Sequence, residues 1–211
     1  MSDDPKHLVA TSYDMIADTY LETFGVSSVR SKWLHILMAH LPASGGRVLD
    51  LGCGAGVPVA RALVQAGHSV VGVDSSAMQI AKARELVPDA TFVHADMGSI
   101  RFEDASFDAV CAFYAITHLP AAEQGKLFRD IAGWLEPGGV FVASLGCGPA
   151  GDWTGEWLGT PMFFSHAGEE RNLISIEEAG LVIERAEVER QDNEDAAFLW
   201  VVATAPKSGC V

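Results

Sequence analysis

Cysteine is scarce in this chain of 211 residues, and its four copies are far apart. They stand at Cys53, Cys111, Cys147 and Cys210, and no two of them form a C-x-x-C pair. This spacing argues against a zinc site and against a disulfide framework. We therefore expect reduced cysteines, as in a cytoplasmic protein, and no bound metal.

Basic residues and long apolar runs are lacking as well. Lys and Arg number 14 against 28 Asp and Glu, and the formal net charge is −14. Proteins bind nucleic acid chiefly through Lys and Arg that neutralise phosphates, so we expect no nucleic-acid partner. No apolar run reaches the ~18 residues of a membrane span. The first residues also lack the basic and apolar regions of a secretory leader. These absences predict a cytoplasmic protein with no membrane partner.

A glycine-rich turn behind an apolar run is the main positive feature. Residues 48–56 read Val-Leu-Asp-Leu-Gly-Cys-Gly-Ala-Gly, and a helical pattern follows. Glycine lets the backbone approach a ligand closely, and a helix N-terminus supplies free N–H groups and partial positive charge. A strand, a tight turn and a helix in this order predict a site for a nucleotide-type ligand.

The spacing of the glycines narrows the ligand class. The pattern here is G-x-G-x-G, whereas the dinucleotide fingerprint is G-x-G-x-x-G. Asp50 precedes the first glycine by two residues, and a second apolar run ends at Asp74. These features together resemble the first motifs of the class I S-adenosylmethionine-dependent methyltransferases.

The resemblance implies both a cofactor and a reaction. The cofactor would be S-adenosyl-L-methionine (SAM), and the product S-adenosyl-L-homocysteine (SAH). Methyl would pass by in-line displacement to an O, N, S or C nucleophile of a small, apolar or aromatic molecule. Residues 114–120 lack the paired acids of metal-dependent catechol-type members. We therefore expect metal-independent transfer.

Apolar runs alternate with helical patterns from residue 47 onward. Strands are predicted at 47–51, 69–73, 90–94, 107–113 and 140–144, with helices at 58–66, 76–86 and 121–135. A helix at 169–179 and an antiparallel hairpin of strands 181–190 and 197–203 follow. The pattern predicts an α/β fold, a doubly wound and mostly parallel seven-stranded sheet with helices on both faces and the last strand antiparallel.

The chain is expected to form one methyltransferase domain. Residues 1–44 would be an N-terminal helical lid, 45–144 the cofactor-binding core, 145–168 an irregular insertion or substrate lid, and 169–211 a C-terminal helix and hairpin. Neither a monomer nor a homodimer is excluded.

Family resemblance also assigns roles to residues. Asp50 would orient the methionyl ammonium, Asp74 would accept hydrogen bonds from the ribose hydroxyls, and Asp96 from the adenine amino group. Tyr13 and Tyr20 would lie on the lid over the methionine end and the sulfonium. The full expected cofactor set is Tyr13, Tyr20, Asp50, Gly52, Cys53, Gly54, Gly56, Asp74, Ser75, Met78, Asp96, Met97 and Phe113.

An aromatic stretch at residues 152–166 stands where substrate-binding insertions occur in this family. It could form an apolar pocket, or it could only cover the edge of the sheet. The expected acceptor-binding residues are Tyr114, His118, Trp153, Trp157, Met162, Phe163 and Phe164. The candidate catalytic residues are His118, His166 and Tyr20, although a thiol or phenol acceptor would need little help from a base.

Two other functions remain open. A nicotinamide-dependent oxidoreductase would share the sheet and Asp74, but the glycine spacing and the lack of a Tyr-x-x-x-Lys pair at Tyr114 oppose it. A protein that binds SAM without catalysis could retain every cofactor residue.

Overall fold

The computed structural model describes residues 4–192 and 194–207. Cys210 and the first three residues lie outside these ranges. The helices are α1 Pro5–Phe24, α2 Ser28–His40, α3 Val59–Gln65, α4 Ala77–Leu86, α5 Ala121–Trp134 and α6 Glu169–Glu178, with a 3-10 turn at Ile116–His118. The strands are β1 Arg47–Leu51, β2 Ser69–Asp74, β3 Thr91–His94, β4 Phe107–Ala112, β5 Leu135–Gly146, β6 Gly151–Trp157, β7 Thr160–His166, β8 Val182–Arg190 and β9 Ala197–Thr204.

Seven strands form the main sheet in the order β3-β2-β1-β4-β5-β9-β8. The first five strands of this order pair in parallel, and β9 runs antiparallel to both β5 and β8. The predicted doubly wound sheet with an inserted antiparallel last strand is therefore confirmed. The carboxyl ends of β1, β2, β3 and β4 lie at one edge, which is where ligands bind in such sheets.

Both faces of the sheet are covered, because strand side chains alternate between two cores. Val48 and Val70 pack with α2, α3 and α4 on one face, while Leu49 and Val110 pack with α5 and α6 on the other. The face with α2 also holds the parallel stack of Trp33 on Trp200, with ring centroids 5.2 Å apart. Apolar runs without strict alternation are what strands buried on both faces require.

The prediction that residues 145–168 are irregular is wrong, because most of this segment forms a β-hairpin. Strands β6 and β7 pair antiparallel over their full length, outside the main sheet. The two turn residues, Leu158 and Gly159, have φ of +51° and +78°. Two positive φ values match the twist of a tight hairpin, but leucine is an unusual residue there, so the sequence signal is weak. Strand β5 is also longer than expected, since it pairs with β9 as far as Gly146.

Helix α1 is held over the carboxyl edge of the sheet by contacts with α4, the 3-10 turn and β7. It begins after Asp4, whose side chain accepts from the Lys6 N–H at 3.0 Å. The Ser12 hydroxyl donates to the Pro161 carbonyl of β7, and Val9 and Ile16 pack against Met162. The hairpin and α1 thus pack together over this edge of the sheet.

Candidate active site

The glycine turn after β1 forms the floor of the main cavity, whose volume is about 680 Å³ with the space open to solvent included. Gly52 has φ +71°, and a Cβ there would lie 2.2 Å from the Cβ of Ala115. Gly54 has φ +52°, and its N–H donates to Asp74 Oδ2 at 2.8 Å. Only glycine combines the positive φ of Gly52 with the absence of a Cβ that the contact with Ala115 requires. Gly56 has another role, because a Cβ there would meet the core ring of Phe92 at 2.9 Å.

Asp74 lines this cavity at the end of β2. Its Oδ1 accepts from the Ser76 N–H at 2.9 Å, while its Oδ2 accepts from Gly54. Each carboxylate oxygen has two lone pairs, so both oxygens can accept one further hydrogen bond from a ligand. Burial raises the pKa of Asp74, and the two backbone donors oppose that shift.

The end of β3 contributes a second acid to the same cavity. Asp96 and Met97 line it together with Ser75. Asp96 Oδ1 accepts from the Gly98 N–H at 2.8 Å, and its Oδ2 accepts from Lys6 Nζ at 2.9 Å. The structure therefore brings the predicted Asp74, Ser75, Asp96 and Met97 together. Met78 lies outside the cavity lining, with 47% of its surface exposed.

Asp50 and Cys53 line an adjoining cavity under the same glycine turn. Asp50 is 2% exposed, its Oδ1 accepts from the Cys111 thiol at 3.5 Å, and its Oδ2 has no partner. Burial raises the pKa of Asp50 to about 7. An unpartnered buried oxygen is expensive, so it points to a ligand that donates a hydrogen bond there.

Arg30 also lines this second cavity, although no sequence pattern pointed to it. The residue is 6% exposed, yet its guanidinium makes no ion pair with any described carboxylate. Nη1 donates to the Phe24 carbonyl at 2.9 Å, and the group lies 5.2 Å from the ring centre of Tyr114. The charge of Arg30 acts on Asp50 in the same cavity, but no described carboxylate contacts the guanidinium, so this group can also bind an anionic ligand group. An arginine on an amphipathic helix such as α2 is typical of an exposed surface, which is why local pattern could not identify it.

Tyr13 and His118 form a hydrogen-bonded pair at the edge of the main cavity. His118 Nδ1 lies 2.9 Å from the Phe163 carbonyl, and Nε2 lies 2.8 Å from the Tyr13 hydroxyl. A carbonyl can only accept, which assigns the proton to Nδ1 and makes Nε2 the acceptor from Tyr13. Burial lowers the pKa of His118 to about 4, so the ring is neutral near pH 7.

A third, smaller cavity of about 310 Å³ lies between α1, the hairpin and the turn before β9. Its walls are mainly aromatic, with rings from Tyr13, Tyr20, Phe24, Tyr114, Trp157, Phe164 and Phe198. Glu194 is among its polar groups and accepts from the Trp157 indole N–H at 3.3 Å. Tyr20 lines all three cavities, and Phe113 lines the first two.

Several predicted residues lie away from these cavities. His166 packs beside Gly146, and a Cβ added to Gly146 would lie 2.7 Å from Nδ1 of His166. Burial lowers the pKa of His166. Met162 and Phe163 are 0% and 5% exposed and pack in the core beneath α1. Trp153 is 47% exposed on the hairpin. Of the predicted acceptor residues, the structure groups Tyr114, His118, Trp157 and Phe164 around the third cavity.

Within residues 4–192 and 194–207, no group of three or more His, Cys, Asp or Glu side chains is arranged to hold a metal ion. None of the described helices is both long and apolar enough to span a membrane.

The sheet order, the glycine turn and the acids at the carboxyl ends of β1, β2 and β3 are the features of a class I S-adenosylmethionine-dependent methyltransferase. Residues 48–139 match the family described as a methyltransferase domain. A sterol 24-C-methyltransferase of Aspergillus fumigatus is 31% identical over 72% of this chain and 42% of its own length. The chain thus spans less than half of the curated relatives it matches first.

Solved structures share the fold. The magnesium protoporphyrin IX methyltransferase of Synechocystis PCC 6803, solved with bound SAM, matches with a TM-score of 0.76 at 17% identity, over 96% of this chain and 98% of that one. The 1,6-didemethyltoxoflavin-N1-methyltransferase of Burkholderia thailandensis, solved with SAH, gives 0.73 at 18% identity, over 93% and 85%. At such identities the likeness concerns the fold alone.

Proposed function

We propose that this protein transfers the methyl group of SAM to a small, apolar or aromatic molecule. One observation carries the proposal: a cavity with the family's cofactor acids joins a smaller aromatic cavity, and Tyr20 lines both. In-line displacement needs a nucleophile held about 3 Å from the methyl carbon, opposite the sulfur. Tyr13, Tyr20, Tyr114 and His118 line both cavities, so an acceptor in the smaller cavity would lie beside the cofactor, with α1 and the hairpin keeping water out.

The residues present fit the cofactor. Asp74 keeps free lone pairs for the ribose hydroxyls, and Asp96 lies where the adenine amino group would be held. At the other end, the unpartnered Oδ2 of Asp50 would accept from the methionyl ammonium, and Arg30, which contacts no described carboxylate, would bind the methionyl carboxylate. The cofactor supplies an activated methyl group, so these side chains only bind and orient it.

The acceptor is proposed to be smaller than the cofactor. Its cavity encloses about 310 Å³, less than half of the about 680 Å³ of the main cavity. Aromatic walls favour a flat or apolar molecule. The sterol methyltransferase names of several relatives support an apolar acceptor, without identifying it.

Tyr13 and His118 would remove the proton of a hydroxyl or amine acceptor. The acceptor oxygen or nitrogen would give its proton to the Tyr13 oxygen while its lone pair forms the new bond to the methyl carbon. The Tyr13 proton would move along its 2.8 Å hydrogen bond to Nε2 of His118. The imidazolium of His118 would later lose this proton to solvent. SAM, when bound, would supply the activated methyl group, with its sulfur leaving as the neutral thioether of SAH.

The first experiment is isothermal titration of the protein with SAM and separately with NADH. We expect binding of SAM and no response to NADH. Asp74→Ala should weaken SAM binding about 10- to 100-fold, since a hydrogen bond to a charged group contributes about 1.5–3 kcal/mol. Arg30→Met should weaken it by a similar factor. Binding of NADH alone would instead favour the oxidoreductase.

A turnover assay distinguishes the proposed enzyme from the remaining alternative, a protein that binds SAM without catalysis. The same protein is mixed with SAM and a panel of phenols, amines and thiols, and SAH release is measured. Methylated product supports the proposal. SAM binding with no turnover across the panel would favour a binding protein without catalysis.

A further inference from the structure

Lys6 joins three separate parts of the fold at the edge of the main cavity. It lies in the first turn of α1, and its Nζ is 2.9 Å from Asp96 Oδ2 and 2.8 Å from Glu123 Oε2. Asp96 follows β3, and Glu123 lies in the first turn of α5. Lys6 and Asp96 both line the cavity. The ion pair therefore lies where the proposed cofactor would place its adenine.

Gly98 makes room for the two carboxylates to converge. Its N–H donates to Asp96 Oδ1 at 2.8 Å. A Cβ at Gly98 would lie 3.1 Å from Glu123 Oε2 and 3.3 Å from Asp96 Oδ1. Both carboxylates face the same ammonium group, so without that cation they would repel each other.

The ammonium group of Lys6 remains charged in this setting. Burial lowers the pKa of Lys6, but the hydrogen bonds and charges of Glu123 and Asp96 more than reverse that effect, and its pKa lies above the usual value. The side chains of Lys6, Asp96 and Glu123 are 26%, 30% and 39% exposed, so water screens these pairs only in part.

We propose that Lys6 is a positioning residue for the adenine end of the cofactor. It fixes the Asp96 carboxylate as an acceptor for the adenine amino group and holds α1 closed over that end. This rests on the proposed use of SAM. Closing the lid and completing the adenine site are then one event, since the same ammonium group performs both.

A matched ion pair provides the control. Lys82 Nζ lies 2.5 Å from Asp18 Oδ1, so it also links α1 to the body of the protein, but neither residue lines a cavity. The experiment measures SAH affinity by calorimetry and the SAH dissociation rate by stopped flow. The proteins are the wild type, Lys6→Met, Lys6→Arg and Lys82→Met. Circular dichroism checks that each variant is folded.

Lys6→Met should weaken SAH binding about tenfold, mostly through faster dissociation, whereas an exposed pair such as Lys82–Asp18 should matter less than about twofold. Lys6→Arg should restore most of the affinity. In an Asp96→Ala background, Lys6→Met should cause little further loss, because the two residues act together.

Equal effects of Lys6→Met and Lys82→Met would overturn the inference and leave the proposed function intact. An undiminished Lys6→Met effect in the Asp96→Ala background would do the same, since it would mean that Lys6 acts only on the lid. A folded wild-type protein that binds neither SAM nor SAH would instead overturn the proposed function, and this inference with it.

Discussion

Asp50 is the residue at which burial and ligand chemistry conflict most directly. Its carboxyl group is 2% exposed and has one weak thiol donor. Without a ligand the protonated form is favoured, which is why its pKa rises to about 7. A cofactor ammonium would favour the ionised form. The ionised form of Asp50 is therefore unfavourable in the ligand-free protein, and a bound ammonium group would stabilise it.

Asp50→Asn should stabilise the ligand-free protein in a pH-dependent way. The folded-state pKa of about 7 lies above the ordinary 3.8, so the stability that this group contributes is complete below pH 3.8 and is lost as pH rises through about 7. The advantage of Asn in free energy of unfolding should therefore grow over that range and then level off, at a few kcal/mol. Urea unfolding at several pH values measures it.

The matched control for this prediction is Asp104→Asn, an exposed acid outside the cavities. Because its side chain is exposed, its free energy of unfolding should differ from that of the wild type by only a small amount. A difference for Asp50→Asn that does not change with pH would show that the Asp50 carboxyl group is ionised in the folded state.

Tyr13 should matter for amine acceptors and much less for thiols. Tyr13→Phe keeps the ring but removes the hydroxyl between the acceptor and His118. We expect kcat with an amine to fall at least about 100-fold, as for loss of a general base. SAH affinity should stay within about twofold, since no hydrogen bond to the cofactor is assigned to that hydroxyl. Equal losses of kcat with an amine and with a thiol would contradict the proton path.

At the scale of elements, the hairpin of β6 and β7 forms one wall of the proposed acceptor cavity. Trp157 and Phe164 pack edge to face with ring centroids 5.6 Å apart and line the third cavity. Trp153 lies on the same strand as Trp157 but is half exposed and outside that cavity. The chain therefore carries its own control for the role of the hairpin.

Trp157→Ala should raise the KM for the acceptor and leave SAH affinity nearly unchanged. The expected increase is about 10- to 100-fold, because a large aromatic wall and its burial are lost. Trp153→Ala should change KM less than about threefold, as surface substitutions usually do. Steady-state kinetics with any acceptor found in the panel, together with SAH calorimetry, tests both. Parallel loss of acceptor and SAH binding in Trp157→Ala would indicate a scaffold role for this tryptophan.

At the scale of the whole molecule, helix α1, the hairpin and the sheet edge line three adjoining cavities. Helix α1 contributes Lys6 at the proposed adenine end, Tyr13 on the proposed proton path, and Tyr20, which lines all three cavities. A ligand that contacts α1 and the sheet together should stabilise the protein as one unit.

SAH at about 100 times its dissociation constant should stabilise the fold by about 2.7 kcal/mol. For a chain of this size, that corresponds to a rise in Tm of roughly 5–10 °C. NADH at the same concentration should leave Tm unchanged, and differential scanning calorimetry measures both. A rise with NADH and none with SAH would reverse the choice of cofactor.

Patterns local in sequence determined the main sheet and the cofactor acids. Hydrophobic runs determine which strands are buried on both faces. An acid or glycine at the carboxyl end of a parallel strand lies at the edge of the sheet where ligands bind, independently of the remaining sequence. Asp74, Asp96 and Gly52 could therefore be predicted at that edge from local pattern alone. The hairpin could not, because its turn uses a leucine at positive φ, and no turn motif marks it.

Only the tertiary structure decided which side chains share a cavity. Arg30 became a candidate ligand-binding residue because folding buries it out of contact with any described carboxylate. Lys6 became one because it contacts Asp96 and Glu123, which lie 90 and 117 residues further along the chain. The choice between Trp157 and Trp153, and between His118 and His166, likewise depends on contacts between distant elements. The sequence by itself determined the hydrophobic pattern of the strands and helices and the residues at the strand ends. The burial of side chains, their ion pairs and the set of residues that line one cavity arise only when distant segments pack together in the fold.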